Sequence, residues 1–173
     1  MSALPDVADL IKKHFHFVID HGFRVVKQSR DSGWAEIRYR KASLGIIVTF
    51  EGRDQSVFVE LCRLTEGKFP SKPTERLVSG DRVEIAYLLA VRAPDRIVRG
   101  YRRGEPPPVG GLEGIMEAQA ANLREYAADF LDGDSSVLDL AMPGLRQRAE
   151  EVRKEKWVDS SRHGGPGDSG GPS

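Results

Sequence analysis

The stretch WAEIRYRKASLGIIVTFEGRDQSVFVELCRL, residues 34–64, decides the fold. In its first run Ala35, Ile37 and Tyr39 point one way and Glu36, Arg38 and Arg40 the other, the period-two pattern of a strand with one dry face. After Lys41-Ala42-Ser43 a second run puts Leu44, Ile46, Val48 and Phe50 on one side and Gly45, Ile47 and Thr49 on the other, which suits a central strand covered more fully. Glu51-Gly52-Arg53-Asp54 reads as a turn. A third run then sends Val57, Val59 and Leu61 inward, with Ser56, Phe58, Glu60 and Cys62 opposite. Short connections between such runs predict a β-meander. A sheet with one dry face needs a layer of helices to hide it.

Working outward, residues 5–20 read as a helix opened by Pro5 or Asp6. Val7, Leu10, Ile11, Phe15 and Val18 lie on one stripe, and Gly22 is the stop. Phe23, Val25 and Lys27 begin a strand that ends at Asp31-Ser32-Gly33. Residues 65–79 form a loop. Asp81 followed by Glu84 resembles a capping box, so a helix carrying Val83, Ile85, Leu88 and Leu89 is expected to end near Ala93-Pro94, with a strand over 83–91 as the alternative. Residues 104–111, GEPPPVGG, read as a linker. Residues 112–132 are expected to be helical, with Met116, Ala120, Leu123, Ala127 and Phe130 along one seam. Pro143 opens a last helix to about Trp157, and the Gly- and Ser-rich tail has nothing to bury. The expected organisation is a sheet with its first helix in 1–103, a linker at 104–111, C-terminal helices in 112–158 on the same core, and a disordered tail in 159–173. The fold class is α+β: an N-terminal helix, a three- to four-stranded antiparallel meander, and C-terminal helices on one sheet face.

A chain of 173 residues buries about 70% of its extended surface, so it needs no metal or disulfide staple. The formal net charge is zero, which argues against a dedicated nucleic-acid binder. Residues 1–103 hold 19 Lys and Arg against 13 Asp and Glu, and residues 104–173 hold 7 against 13. This asymmetry reads first as uneven surface charge and second as an attraction that docks the two halves. Cys62 is the only cysteine, which fits a cytoplasmic location. The N-terminus lacks the pattern of a secretory signal, and no apolar run approaches membrane-spanning length.

No motif predicts catalysis. On a helix His14 and His16 lie about 200° apart and cannot converge on a metal. Asp132, Asp134 and Ser136 lack the glycine and glutamate that a calcium loop needs later. Gly110, Gly111 and Gly114 follow prolines rather than the strand a dinucleotide fingerprint requires. No catalytic residue, cofactor or metal ligand is therefore expected. The candidates for contact with an anionic or protein surface are arginines: Arg38 and Arg40 on the outward face of their strand, and Arg92, Arg96, Arg99, Arg102 and Arg103 with Tyr101 among them.

The helix ending in HGF at 21–23, the run YRKASLGIIVTFEGRDQSVFVEL at 39–61 and LREYAADFLDGDSS at 123–136 resemble small uncharacterised bacterial proteins of actinobacterial type. Some of these look like immunity partners of secreted toxins. The resemblance implies a non-enzymatic module that binds another protein, possible partners including a toxin, by surface complementarity. Weak nucleic-acid binding through the 92–103 arginines is the alternative. Oligomeric state is left open.

Overall fold

Strands β1 (Arg24–Asp31), β2 (Trp34–Lys41), β3 (Leu44–Glu51), β4 (Ser56–Arg63) and β5 (Arg82–Glu84) form one antiparallel sheet in that order. They belong to a computed structural model that describes residues 6–72, 80–94 and 110–162. The register follows the alternation. Ala35, Phe50 and Val57 lie side by side across the sheet, then Ile37, Val48 and Val59, then Tyr39, Ile46, Leu61 and Val83. Ile37, Val48 and Val59 are all completely buried.

The layer over this face comes from both ends of the chain. It contains α1 (Val7–His14), α2 (Phe17–Asp20), α3 (Ile85–Arg92), α4 (Gly111–Tyr126), α5 (Ala128–Asp132) and α6 (Val137–Arg162). α1 packs on β2, and α3 and α4 pack on β4. Residues on both sides of 104–111 enter one hydrophobic core, from Ile11 and Phe15 to Leu123 and Phe130. The opposed charges of the two halves meet at the surface: Lys13 with Glu113 at 2.6 Å, Arg92 with Asp129 at 2.6 Å and Arg63 with Asp139 at 3.2 Å. Each such exposed pair contributes about 0–1 kcal/mol, so burial holds the halves together and the pairs set orientation. No described helix is long and apolar enough to cross a membrane.

Several boundaries differ from expectation. The first helix is interrupted after His14. Bonds from Val18 N to Phe15 O and Ile19 N to His16 O tighten the chain there, and Phe15 and Val18 both end fully buried. The sheet has five strands because Arg82–Glu84 pairs with β4 before the next helix begins at Ile85. Asp81 is therefore not the cap of that helix, and Glu84 precedes it in extended backbone without a side-chain cap bond. Three residues are too few to show alternation, and pairing with Glu60, Leu61 and Cys62 decides their conformation. The helix does end at Arg92, before Pro94.

The segment 112–132 is two helices that part at Ala127, where the backbone leaves helical geometry; Leu123, Ala127, Phe130 and Leu131 remain fully buried across the break. The last helix starts at Val137 with Pro143 inside it. Val137, Leu138 and Ala141 are buried in the core, which carries the helix ahead of the proline. The carbonyl that Pro143 leaves without an amide partner belongs to Asp139, an exposed residue whose carbonyl water can satisfy. The helix runs to Arg162, past the expected start of the tail; residues 163–173 and 104–109 lie outside the described residues.

The strand β1 is exposed along almost its whole length, and Val25 and Val26 are 42% exposed. A register shift between Val25 and Lys27 bends it. A bulge and a run of Arg24, Lys27 and Arg30 are common means of keeping an edge strand from pairing with other chains.

Candidate site on the open face of the sheet

The alternation that buries one face places a second set of residues on the other. Across the sheet these fall in rows: Trp34, Glu51 and Ser56; then Glu36, Thr49 and Phe58; then Arg38, Ile47, Glu60 and Glu84; then Arg40, Gly45, Cys62 and Arg82. Successive rows are roughly 7 Å apart along the strands. No described helix covers them. Instead the loop after β4 folds back over the last two rows. Leu64 N bonds Ser43 O at 2.7 Å, and Phe69 packs on a small cluster of Ile47, Cys62 and Leu64. Gly45 is required by this packing, because a Cβ there would collide with the Phe69 ring and lie 2.9 Å from Leu64 Cδ2.

Between the loop and the sheet lies a half-enclosed groove of about 690 Å³. That volume falls within the size range of ligand pockets. Trp34, Thr49 and Phe58 are among the residues lining its sheet side, and Phe69 to Lys72 form its wall. Its charges are mostly paired. Arg38 Nε donates to Glu36 Oε1 at 2.6 Å, and the Arg38 guanidinium sits 5.3 Å from the centre of the Phe69 ring. Arg82 grips Glu60 with two bonds, Nε to Oε1 at 2.9 Å and Nη2 to Oε2 at 2.7 Å, and gives a third to Pro70 O at 3.2 Å. This one side chain ties β5, β4 and the groove wall together.

Glu84 stands apart. It lies directly across from Glu60, whose carboxylate Arg82 already holds, and it has no ion-pair partner of its own among the described residues. Burial, reinforced by the charge of Glu60 and only partly offset by Lys72, pushes its carboxyl up to about 7. The folded chain therefore takes up this proton more readily than the unfolded chain. The stability it contributes is complete below the ordinary carboxylate value and is lost as pH rises through about 7. We expect Glu84→Gln, which imitates the protonated form, to be more stable than the parent by about 2–3 kcal/mol at pH 8.5. The gain should shrink below about 1 kcal/mol at pH 5. Urea denaturation at the two pH values measures both, and a gain independent of pH contradicts the assignment.

The described members of the expected arginine surface do not all lie together. Arg38 lines the groove and is paired with Glu36. Arg40 is half-buried on the same face, with Nη1 2.9 Å from where a side chain at Gly67 would begin. Arg92 is on the far side of the fold from the groove's strands, at the end of α3, where it bonds both Asp129 oxygens and the Tyr126 carbonyl. Arg96, Arg99, Tyr101, Arg102 and Arg103 lie outside the described residues. A phosphate contacting Arg38 or Arg92 would share the guanidinium with a carboxylate already there.

His14 meets Glu113 and His21 meets Asp132, each at 3.2 Å, and the described residues contain no cluster able to hold a metal ion. Cys62 is fully buried and its thiol is pushed up to about 12, chiefly by burial, so it is a packing group.

No protein-family model, curated protein or solved structure matches this chain. The groove must therefore be interpreted from its own chemistry. Of its members, Glu36, Thr49, Phe58 and Glu60 were legible as outward positions in their strands. Glu84 and Arg82 were not, because they join the face only through the short fifth strand.

Proposed function

We propose that the chain is a non-enzymatic binding module, of the immunity or accessory kind, that holds a polypeptide partner on the open face of its sheet. The groove carries this reading. One sheet face is filled by helices, and the other presents three aromatic side chains, Trp34, Phe58 and Phe69, among fixed ion pairs. Aromatic and arginine side chains held in place by their neighbours are what protein interfaces concentrate at their centres. The resemblance to immunity partners of toxins points the same way. The arginines Arg38 and Arg40 belong to this surface; Arg92, paired across the helical layer, does not.

The test is a photo-crosslinking residue placed at Phe58 in the full chain, expressed in its native host, with the same residue at exposed Leu140 on α6 as the control. One polypeptide captured from position 58 and absent from position 140 is the expected result. The same captured set from both positions, or none from position 58, would refute the open face as the docking surface.

A further inference from the structure

We propose that the Glu84 end of the groove receives a basic side chain, a guanidinium or an ammonium, from the polypeptide that docks there. This rests on the docking reading above and adds what the partner must present.

Two acidic side chains, Glu60 and Glu84, stand directly across from each other on the open face, and a third, Glu36, lies one row away on β2 with β3 between. Glu36 and Glu60 have guanidinium partners at 2.6–2.9 Å, Arg38 and Arg82. Glu84 has none among the described residues. Arg82 is committed to Glu60 and Pro70 O, and Arg38 stands on β2 with β3 and β4 between it and Glu84. Lys72 sits on the exposed wall, and its pull on Glu84 is weaker than the push from Glu60. Tyr87 on α3 is a further neighbour among the described residues; burial and Glu84 push its phenol up, while Arg148 and Glu151 on α6 act on it in opposite directions. An anion entering here would face two carboxylates. A cation would complete the pattern that Arg38 and Arg82 make twice, with the Phe58 ring one row away to lie against.

Ligand and proton compete for the same carboxylate. Affinity for a cation should therefore rise with pH through about 7, the value to which Glu84 is pushed, and be about tenfold greater at pH 8 than at pH 6.

The probe is Nα-acetyl-arginine methylamide, compared with its neutral citrulline counterpart and with Nα-acetyl-glutamate methylamide. Binding to the full chain is followed by NMR of carboxyl-¹³C-labelled glutamates. The arginine probe should bind at least tenfold more tightly than citrulline, lower the titration midpoint of Glu84, and weaken about tenfold from pH 8 to pH 6. Glu84→Gln should lose this binding, whereas Glu117→Gln, exposed on α4 on the helical side of the sheet, should keep it. Equal binding of citrulline, preference for the glutamate probe, or binding that leaves the Glu84 resonance unmoved would each overturn the proposal. The two readings fail separately. A crosslink at position 58 with no response to the arginine probe removes the basic side chain alone. A response to the probe with no crosslinked polypeptide removes the protein partner alone.

Discussion

Glu60→Leu, made alone, should destabilise the protein by about 3–5 kcal/mol, because it leaves the Arg82 guanidinium inside the structure without its counter-charge. The Arg82 side chain is 7% exposed and that of Glu60 13%, so water cannot take over the role of the missing carboxylate. The double variant Glu60→Leu with Arg82→Met removes both charges and should recover most of the loss, since a buried pair can be replaced by apolar groups at little net cost. The comparison is made by urea denaturation of the parent, the two single variants and the double. If Glu60→Leu costs less than about 1 kcal/mol, the pair is solvated and the groove wall is not pinned as described. The experiment bears on function as well, because Arg82 also holds Pro70, and Pro70 belongs to the wall.

Phe130→Ala should cost about 3–5 kcal/mol, the usual range for emptying a large buried aromatic site. Phe130 is fully buried on α5, its ring 6.4 Å from that of Phe23 at the entry to β1. It joins the C-terminal helical layer to the N-terminal half of the chain, and a void there loses contacts on both sides. In a chain of this size the loss should lower the melting temperature by roughly 10 °C. Leu140→Ala, on a residue 46% exposed, should change stability by less than about 0.5 kcal/mol. A Phe130→Ala effect as small as that of Leu140→Ala would mean that the two halves do not share a core.

The strongest sequence signals came from residues whose neighbours along the chain repeat the same demand. Alternation from Ala35 to Leu61 has period two over three runs, so the dry face and the central place of β3 are readable in it. The seam from Met116 to Phe130 was readable for the same reason, although the break at Ala127 was not, because both sides of it bury the same stripe. Arg82–Glu84 is not legible as a strand on its own, because three residues show no periodicity and take their conformation from a partner some twenty residues earlier. The candidate site suffered from this most. Glu84 is an ordinary glutamate in a helical-looking sequence until β5 sets it against Glu60. The basic run was conspicuous in composition, yet composition cannot show that Arg92 is already bound to Asp129.

Gly45 has a consequence that extends past packing. Its backbone pairs with Arg40 and Cys62 whatever side chain it bears, yet the ring that forms the groove wall rests on the space where a methyl would be. The width of the mouth is thus set by one absent carbon at a position the ladder itself does not constrain. An alanine there would keep the same architecture and lift Phe69 off the sheet, so that what the mouth admits can be altered by a change the rest of the molecule barely registers.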